Sequence, residues 1–276
     1  MSRWILITGC SSGIGQDAAV RLHERGYQVI ASVRNIADTT TLKDKGIEHI
    51  IELDLSRSES IRNAVEYSIK VSDGKISALF NNGAYGQPGA VEDLTRDTLR
   101  KQFEINLFGV QELTNLFLPS FLEQPDARIV NCSSVLGMVA MPFRGAYNAS
   151  KFALEGLTGT MRLELRDTNV KVVLIEPGPI LTKFRQNALK ALEENIDIKA
   201  SRYQAAYEKN LERLKKEGAA MPFTLGPESV TKKLIHALES KNPKPHYYVT
   251  KPTYFMGICR RLLSTRMLDK ILARAG

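Results

Sequence analysis

Short apolar runs rich in β-branched residues recur along this chain, each followed by a longer stretch with helical spacing. The runs are Ile5 to Thr8, Gln28 to Val33, His49 to Leu53, Ala78 to Asn81, Arg128 to Ser133, Val170 to Glu176 and His246 to Thr250. Continuous apolar strands alternating with helices predict a parallel sheet covered on both faces. The fold class expected is α/β, a doubly wound parallel sheet of the Rossmann type, in a single domain over residues 1–276. Thr98 to Phe117 and Tyr147 to Asp167 are long enough to be helices, and Ser56 with Glu59 has capping-box spacing ahead of Ile61 to Val71.

The alternation lapses between Leu181 and Gly226, where charged helical sequence such as "YEKNLERLKKEG" stands in place of a strand. Residues 183–226 are therefore expected to be a helical insertion beyond a strand's carboxyl end, where open α/β folds build substrate sites and lids.

Composition adds little until its placement is considered. The chain has 276 residues, 43% hydrophobic and 25% charged, enough for a large core and normal for a folded soluble protein. A net charge of +8 invites a nucleic-acid or membrane reading, but Lys251, Arg260, Arg261, Arg266, Lys270 and Arg274 face Asp269 alone after position 250. The excess is largely a property of residues 251–276, so no nucleic-acid partner is expected. Phe255, Met256, Ile258, Leu262, Leu263, Met267, Leu268, Ile271 and Leu272 lie among those charges. Two readings stand: a basic amphipathic helix making weak contact with an anionic membrane surface, or a docked helix with a wet basic face.

Cys10, Cys132 and Cys259 form neither a disulfide framework nor a CxxC knuckle, and His23, His49, His236 and His246 form no close pair. No metal site is expected, and a reducing cytoplasm fits. "MSRWILITG" lacks a signal peptide's apolar core, and no apolar run reaches the about 18 residues of a membrane span.

After the first strand comes "TGCSSGIG" and then a helix. Gly9 suits a tight turn, Gly13 a close approach to a pyrophosphate and Gly15 helix packing; Ser11, Ser12 and Ile14 complete this cofactor-binding loop. At the second strand's end, where an acid would bind the ribose of NAD, stand Val33 and Arg34. No carboxylate repels a 2'-phosphate there and a guanidinium can pair with it, so NADP is the cofactor expected. The plainer alternative is a surface arginine.

Tyr147 and Lys151 sit one helical turn apart in "YNASK". A cation beside a phenol favours phenolate, which suits Tyr147 to exchange a proton with a carbonyl being reduced. Taken alone, the spacing also fits a half-buried tyrosine beside a surface lysine.

"TGCSSGIG", "NN", "EIN", "NCSS", "YNASK" and "EPGPILT" occur in an order that resembles the short-chain dehydrogenase/reductases, over Trp4 to Thr182. "GCSSGIG" and "ASKFALEGL" look most like the 17-beta-hydroxysteroid and retinol dehydrogenase branch, and the last fifty residues are similar to bacterial NADP-dependent aldehyde reductases. The resemblance implies catalytic roles for Asn106, Ser134, Tyr147 and Lys151, with Ser133 the less favoured serine. It implies cofactor contacts from Asp54, Leu55, Asn82, Tyr147, Lys151, Pro177, Gly178, Ile180 and Thr182, and a homodimer or homotetramer formed through the two long helices. Two departures stand out: "NNGA" at Asn81 to Ala84 replaces the family's "NNAG", and Ser12 stands where some NADP enzymes carry a base. Ala84 would be strained if its position needed positive φ.

Val135, Leu136, Met138, Val139, Met141, Pro142 and Phe143, joined by Phe184, Met221 and Phe223, suggest an apolar pocket or loop residues packed on the core. The activity expected is NADP-dependent interconversion of hydrophobic aldehydes or ketones and alcohols. The alternatives are a steroid- or retinoid-specific dehydrogenase, a non-catalytic NADP sensor, and a peripheral membrane protein.

Overall fold

The computed structural model describes residues 3–216, 218–219 and 221–275, with backbone alone at 274 and 275. The Arg274 side chain and the expected limits at residues 1 and 276 lie outside the described residues. In chain order come β1 (Trp4–Ile7), α1 (Gly13–Glu24), β2 (Gln28–Val33), α2 (Thr40–Asp44), β3 (His49–Glu52), α3 (Ser58–Val71) and β4 (Ile76–Asn81). Then follow α4 (Arg96–Phe103), α5 (Gly109–Leu122), β5 (Ala127–Cys132), α6 (Gly145–Glu164) and β6 (Val170–Glu176). The chain continues through α7 (Phe184–Asn195), α8 (Gln204–Lys215), α9 (Glu228–Glu239), β7 (His246–Tyr248), α10 (Lys251–Leu262) and α11 (Thr265–Ala275).

The seven strands form one sheet in the order β3-β2-β1-β4-β5-β6-β7, every pair parallel. Because successive strand residues point to opposite faces, Ile5 and Ile7 pack with Leu22 of α1 and Leu234 of α9. Leu6 between them packs with Ile61 of α3, Phe117 of α5 and Leu154 of α6. Each such side chain, fully removed from water, contributes roughly 1.5–3 kcal/mol. The doubly wound sheet read from the apolar runs is therefore the architecture observed.

A buried amide ladder ties the second layer to the sheet. Asn81 Nδ2 donates to Asn131 Oδ1 at 2.8 Å and to Thr114 at 3.0 Å, and Asn131 Nδ2 donates to Thr158 at 2.9 Å. The ladder fixes α5 and α6 against β4 and β5. It gives partners to Asn81 Nδ2, Asn131 Oδ1 and Asn131 Nδ2, whose burial without them would cost about 1–3 kcal/mol each.

The structure corrects three local expectations. The helix expected from Thr98 to Phe117 is α4 and α5 joined by a π-turn at Glu104–Phe108, and α6 runs Gly145–Glu164 rather than Tyr147 to Asp167. The Ser56–Glu59 capping box does not form: α3 starts at Ser58, and Ser56 Oγ donates instead to Asp54 Oδ1 at 2.7 Å, because the aspartate lies closer in the turn. Among the described residues, positive φ occurs at Asp73, Phe143 and Phe223 besides glycines and not at Ala84, so the Gly83–Ala84 exchange carries no such strain.

Among the described residues no strand forms between β6 and α9. α7 and α8 have a small core of their own, with Leu192, Ile196, Tyr207 and Leu214 packed on Ala90. Tyr207 Oη donates to Asp93 Oδ2 at 2.6 Å and accepts from Ala90 N at 2.7 Å, and Arg202 pairs with Glu92 at 2.7 Å. The helical segment is thus anchored on the chain just after β4.

Candidate active site

The glycine-rich turn comes first because β1 delivers it to the sheet's carboxyl edge. Gly9 and Gly13 have φ of +72° and +61°, a region costly for residues with a Cβ. A Cβ on Gly15 would stand 2.3 Å from Gly9 O, and one on Gly13 would stand 2.9 Å from Thr182 Cγ2. Thr182, expected at the nicotinamide end, therefore closes over the turn that opens α1. Ser12 precedes α1 without a side-chain cap, leaving the N–H groups of the first turn free for an anion. The residues thus fit a dinucleotide.

Around this turn, Asn82 donates through Nδ2 to Thr8 O at 2.9 Å, its own N–H bonding Thr8 Oγ1 at the same distance. Asp54 is held as an acceptor by Ser56, and Leu55 is buried against Gly109. Arg34 follows β2 and is exposed. Pro177, Gly178 and Ile180 follow β6. Gly178 lies against Thr250, leaving no room for a side chain.

Asn106, Ser134, Tyr147 and Lys151 come together although the first and last lie forty-five positions apart. The π-turn places Asn106 fully buried, where Oδ1 accepts from Tyr85 N at 3.1 Å and Nδ2 donates to Tyr85 O at 2.8 Å. A single inserted residue in a helix re-aims side chains, and such turns recur at functional sites. Asn106 Nδ2 also reaches Ser150 Oγ at 3.3 Å, and that hydroxyl donates to Tyr147 O at 2.9 Å. Ser134 Oγ accepts from Leu136 N at 3.1 Å, ordering the turn after β5.

Lys151 is 3% exposed, donates to Cys132 O at 2.7 Å and lies 5.7 Å from the centroid of the Tyr147 ring. Burial lowers its ammonium below the ordinary range. Burial also raises the Tyr147 phenol, with the Cys132 thiol adding to the rise and Ser134 and Arg144 opposing it. The expectation that Lys151 favours phenolate is therefore corrected: its charge is aimed at a backbone carbonyl, and desolvation dominates.

The apolar run divides. Leu136, Met138 and Val139 are buried, so they serve packing. Val135, Met141 and Phe143 stay partly open, and Phe143 meets Tyr203 and Tyr207 at centroid distances of 5.6 and 5.3 Å. Phe184 of α7 lies edge-on to Tyr147, and a Cβ on Gly86 would touch both rings.

Three further residues went unnoticed in the sequence. Glu155, Glu176 and His246 bring one ligand-type atom each within 4.8 Å of one another, behind Ser133. Histidine spacing, on which the absence of a metal site was argued, is blind to such a trio because its members lie on three elements. His246 Nδ1 is 2.8 Å from Glu176 Oε1, which raises the imidazole pKa; burial raises both carboxyls, Glu155 to about 7. Arg162 adds a compensating positive charge beside Glu176.

Residues 3–193 match the short chain dehydrogenase family. The chain is 39% identical over 272 residues to the uncharacterized oxidoreductase YbbO of Escherichia coli (strain K12), covering 99% of this chain and 94% of that protein. It is 31% identical to the NADPH-dependent 3-dehydrocapnine reductase of Ornithobacterium rhinotracheale, covering 98% and 95%. The structure superposes with a TM-score of 0.80 and 25% identity on a short chain dehydrogenase/reductase from Burkholderia phymatum in complex with NAD, covering 98% and 95%. Fold, motif order and full-length relatives agree: this chain is an oxidoreductase of the short-chain dehydrogenase/reductase family, with its nicotinamide dinucleotide-binding fold.

Proposed function

We propose that the protein reduces apolar aldehydes or ketones to alcohols with NADPH, the reverse oxidation using the same groups. The observation that carries the reading is Tyr147 set beside Ser134 and Lys151, with the Phe184 ring edge-on to its phenol. The bound cofactor supplies the hydride. Ser134 Oγ orients the substrate oxygen by a hydrogen bond, and Tyr147 Oη gives that oxygen its proton as negative charge develops there. Lys151 and Asn106 hold the proton-exchange path behind the phenol, with Lys151 fixed by Cys132 O and Asn106 by Tyr85.

NADPH is favoured over NADH by Arg34 at the end of β2 and by the missing acid there. The NADPH-dependent full-length relative supports the same choice. Gly9, Ser11, Ser12, Gly13, Ile14 and Gly15 cradle the pyrophosphate, and Asp54, Leu55 and Asn82 flank the adenosine. Pro177, Gly178, Ile180 and Thr182 face the nicotinamide. Residues 183–226 form the substrate lid of a single domain. Val135, Met141, Phe143 and Phe184 offer an apolar substrate little to hydrogen-bond, which favours hydrocarbon chains or rings over sugars.

The assembly proposed is a homodimer or homotetramer through α4, the π-turn after it, α5 and α6, which expose Leu99, Phe108, Leu116, Leu157 and Leu163. Among the described residues no helix is long and apolar enough to cross a membrane. The three cysteines are free and buried, which suits a reducing cytoplasm. The test is NADPH oxidation with a graded series of aldehydes and ketones: turnover rising with chain length supports the reading, and inertness toward every carbonyl refutes it.

A further inference from the structure

α10 has two unlike faces. Its inner face carries Thr253, Gly257 and Cys259, all buried, and Arg260 reaches back to donate to Met138 O in the loop after Ser134. Thr250, at its start, lies against Gly178. The helix is therefore docked on both the catalytic loop and the cofactor loop. Its outer face is not the wet basic surface that a docked helix usually shows. Tyr254, Phe255, Ile258 and Leu262 are 47%, 53%, 58% and 77% exposed and fall on one side of the helix at successive turns.

This stripe continues onto the end of the proposed lid. Lys251 stands 5.7 Å from the centroid of Phe223, and Met221, Phe223 and Leu225 are exposed in turn. Phe223 holds φ of +61°, unusual for a residue with a bulky side chain, and the residue is 58% exposed. Such a patch on a monomer marks an interaction surface. Its charge selects the partner. Lys251 and Arg261 lie along the stripe, Arg266 and Lys270 follow on α11, and Asp269 is the one acid beyond position 250. A second copy docking on this face by two-fold symmetry would bring these cations against themselves. An anionic bilayer surface meets both properties at once, taking the apolar rings below its headgroups and pairing the cations with phosphates.

The geometry points to α10 and residues 221–225 as a peripheral docking surface for anionic lipid, set beside the mouth of the active site so that membrane-dissolved substrate enters directly. The docking itself stands on exposure and charge; only the substrate's origin rests on the reductase reading. Tyr254, Phe255, Ile258 and Leu262 lie opposite the face that touches the catalytic loop, so altering them leaves the reacting groups in place.

The test uses the full chain and vesicles of phosphatidylcholine with or without phosphatidylglycerol. Co-sedimentation is expected with phosphatidylglycerol vesicles, falling steeply as salt is added, and about tenfold or more weaker in a Phe255→Asp/Ile258→Asp variant. Turnover of a short, water-soluble aldehyde should be unchanged in that variant, while turnover of a long-chain aldehyde presented in vesicles should fall with the binding. Equal sedimentation of wild type and variant, or none with either vesicle, overturns the proposal. A variant that loses an oligomer on size exclusion while wild type ignores vesicles assigns the face to a second copy instead. Loss of all aldehyde turnover in wild type would refute the reductase reading alone, and vesicle binding would still be scored.

Discussion

The Phe184 ring of α7 stands edge-on to Tyr147 of α6, centroids 5.3 Å apart and planes at 62°. One residue of the helical insertion thus touches the proposed proton donor, linking the proposed lid to the proposed chemistry. Removing the ring opens the phenol to water and loosens the substrate. Phe184→Ala is expected to raise KM for long-chain aldehydes by about tenfold, the scale of 1.4 kcal/mol in lost apolar contact. Short aldehydes should change much less. Equal losses for long and short substrates would show that the ring does not line the substrate path.

In the proposed function Arg34 carries the cofactor preference. A charge-assisted pair with a 2'-phosphate contributes about 1.5–3 kcal/mol, so Arg34→Ala should raise KM for NADPH by roughly 10–100-fold. KM for NADH should stay near its starting value. Parallel changes for both cofactors would place the 2'-phosphate elsewhere.

The buried cluster makes stability depend on pH. Glu155 ionises near 4.5 in an unfolded chain and near 7 here, because burial first and Glu176 second disfavour its charge. Between those values the folded state keeps a proton that the unfolded state has released, so stability falls as pH rises through this window and the full cost persists above it. Glu155→Gln removes the cost. Urea unfolding should find the variant more stable at about pH 8, by on the order of 2 kcal/mol, and nearly unchanged at about pH 4. A variant less stable at both would mean that the carboxylate is needed in its ionised form.

The π-turn offers a separate check. Asn106→Ala deletes both bonds to the Tyr85 backbone and leaves buried groups unpaired, at about 1–3 kcal/mol of stability. An Asn106→Asp variant keeps the acceptor for Tyr85 N but loses the donor to Tyr85 O. Thermal unfolding should rank the wild type first, with kcat falling more than KM rises in both variants.

The sheet was legible because each strand is a continuous apolar run, as burial on both faces requires, and Leu6 between Ile5 and Ile7 shows the two faces in three residues. Gly9, Gly13 and Gly15 could be read because their backbone needs leave few substitutes. What escaped depends on contacts between distant elements. The π-turn at Asn106 has no local signature, since its apolar positions continue the helical spacing on either side. Glu155, Glu176 and His246 meet across α6, β6 and β7, and no spacing rule spans that separation. The Tyr147–Lys151 pair was visible, but the direction of the phenol's pKa was not, because burial belongs to the fold and not to the spacing. In the final helices, sequence showed apolar and basic residues mixed; the docked face of α10 had to be known before the exposed stripe could be separated from the packed one.

The central claim is that Tyr147 gives the proton while the cofactor gives the hydride. NADPH consumption with medium- and long-chain aldehydes, compared between wild type and Tyr147→Phe, tests it most directly. Wild type should turn over, and the variant should lose about 10²–10⁴ in kcat while still binding NADPH and unfolding at a similar temperature. Undiminished turnover in Tyr147→Phe would contradict the account.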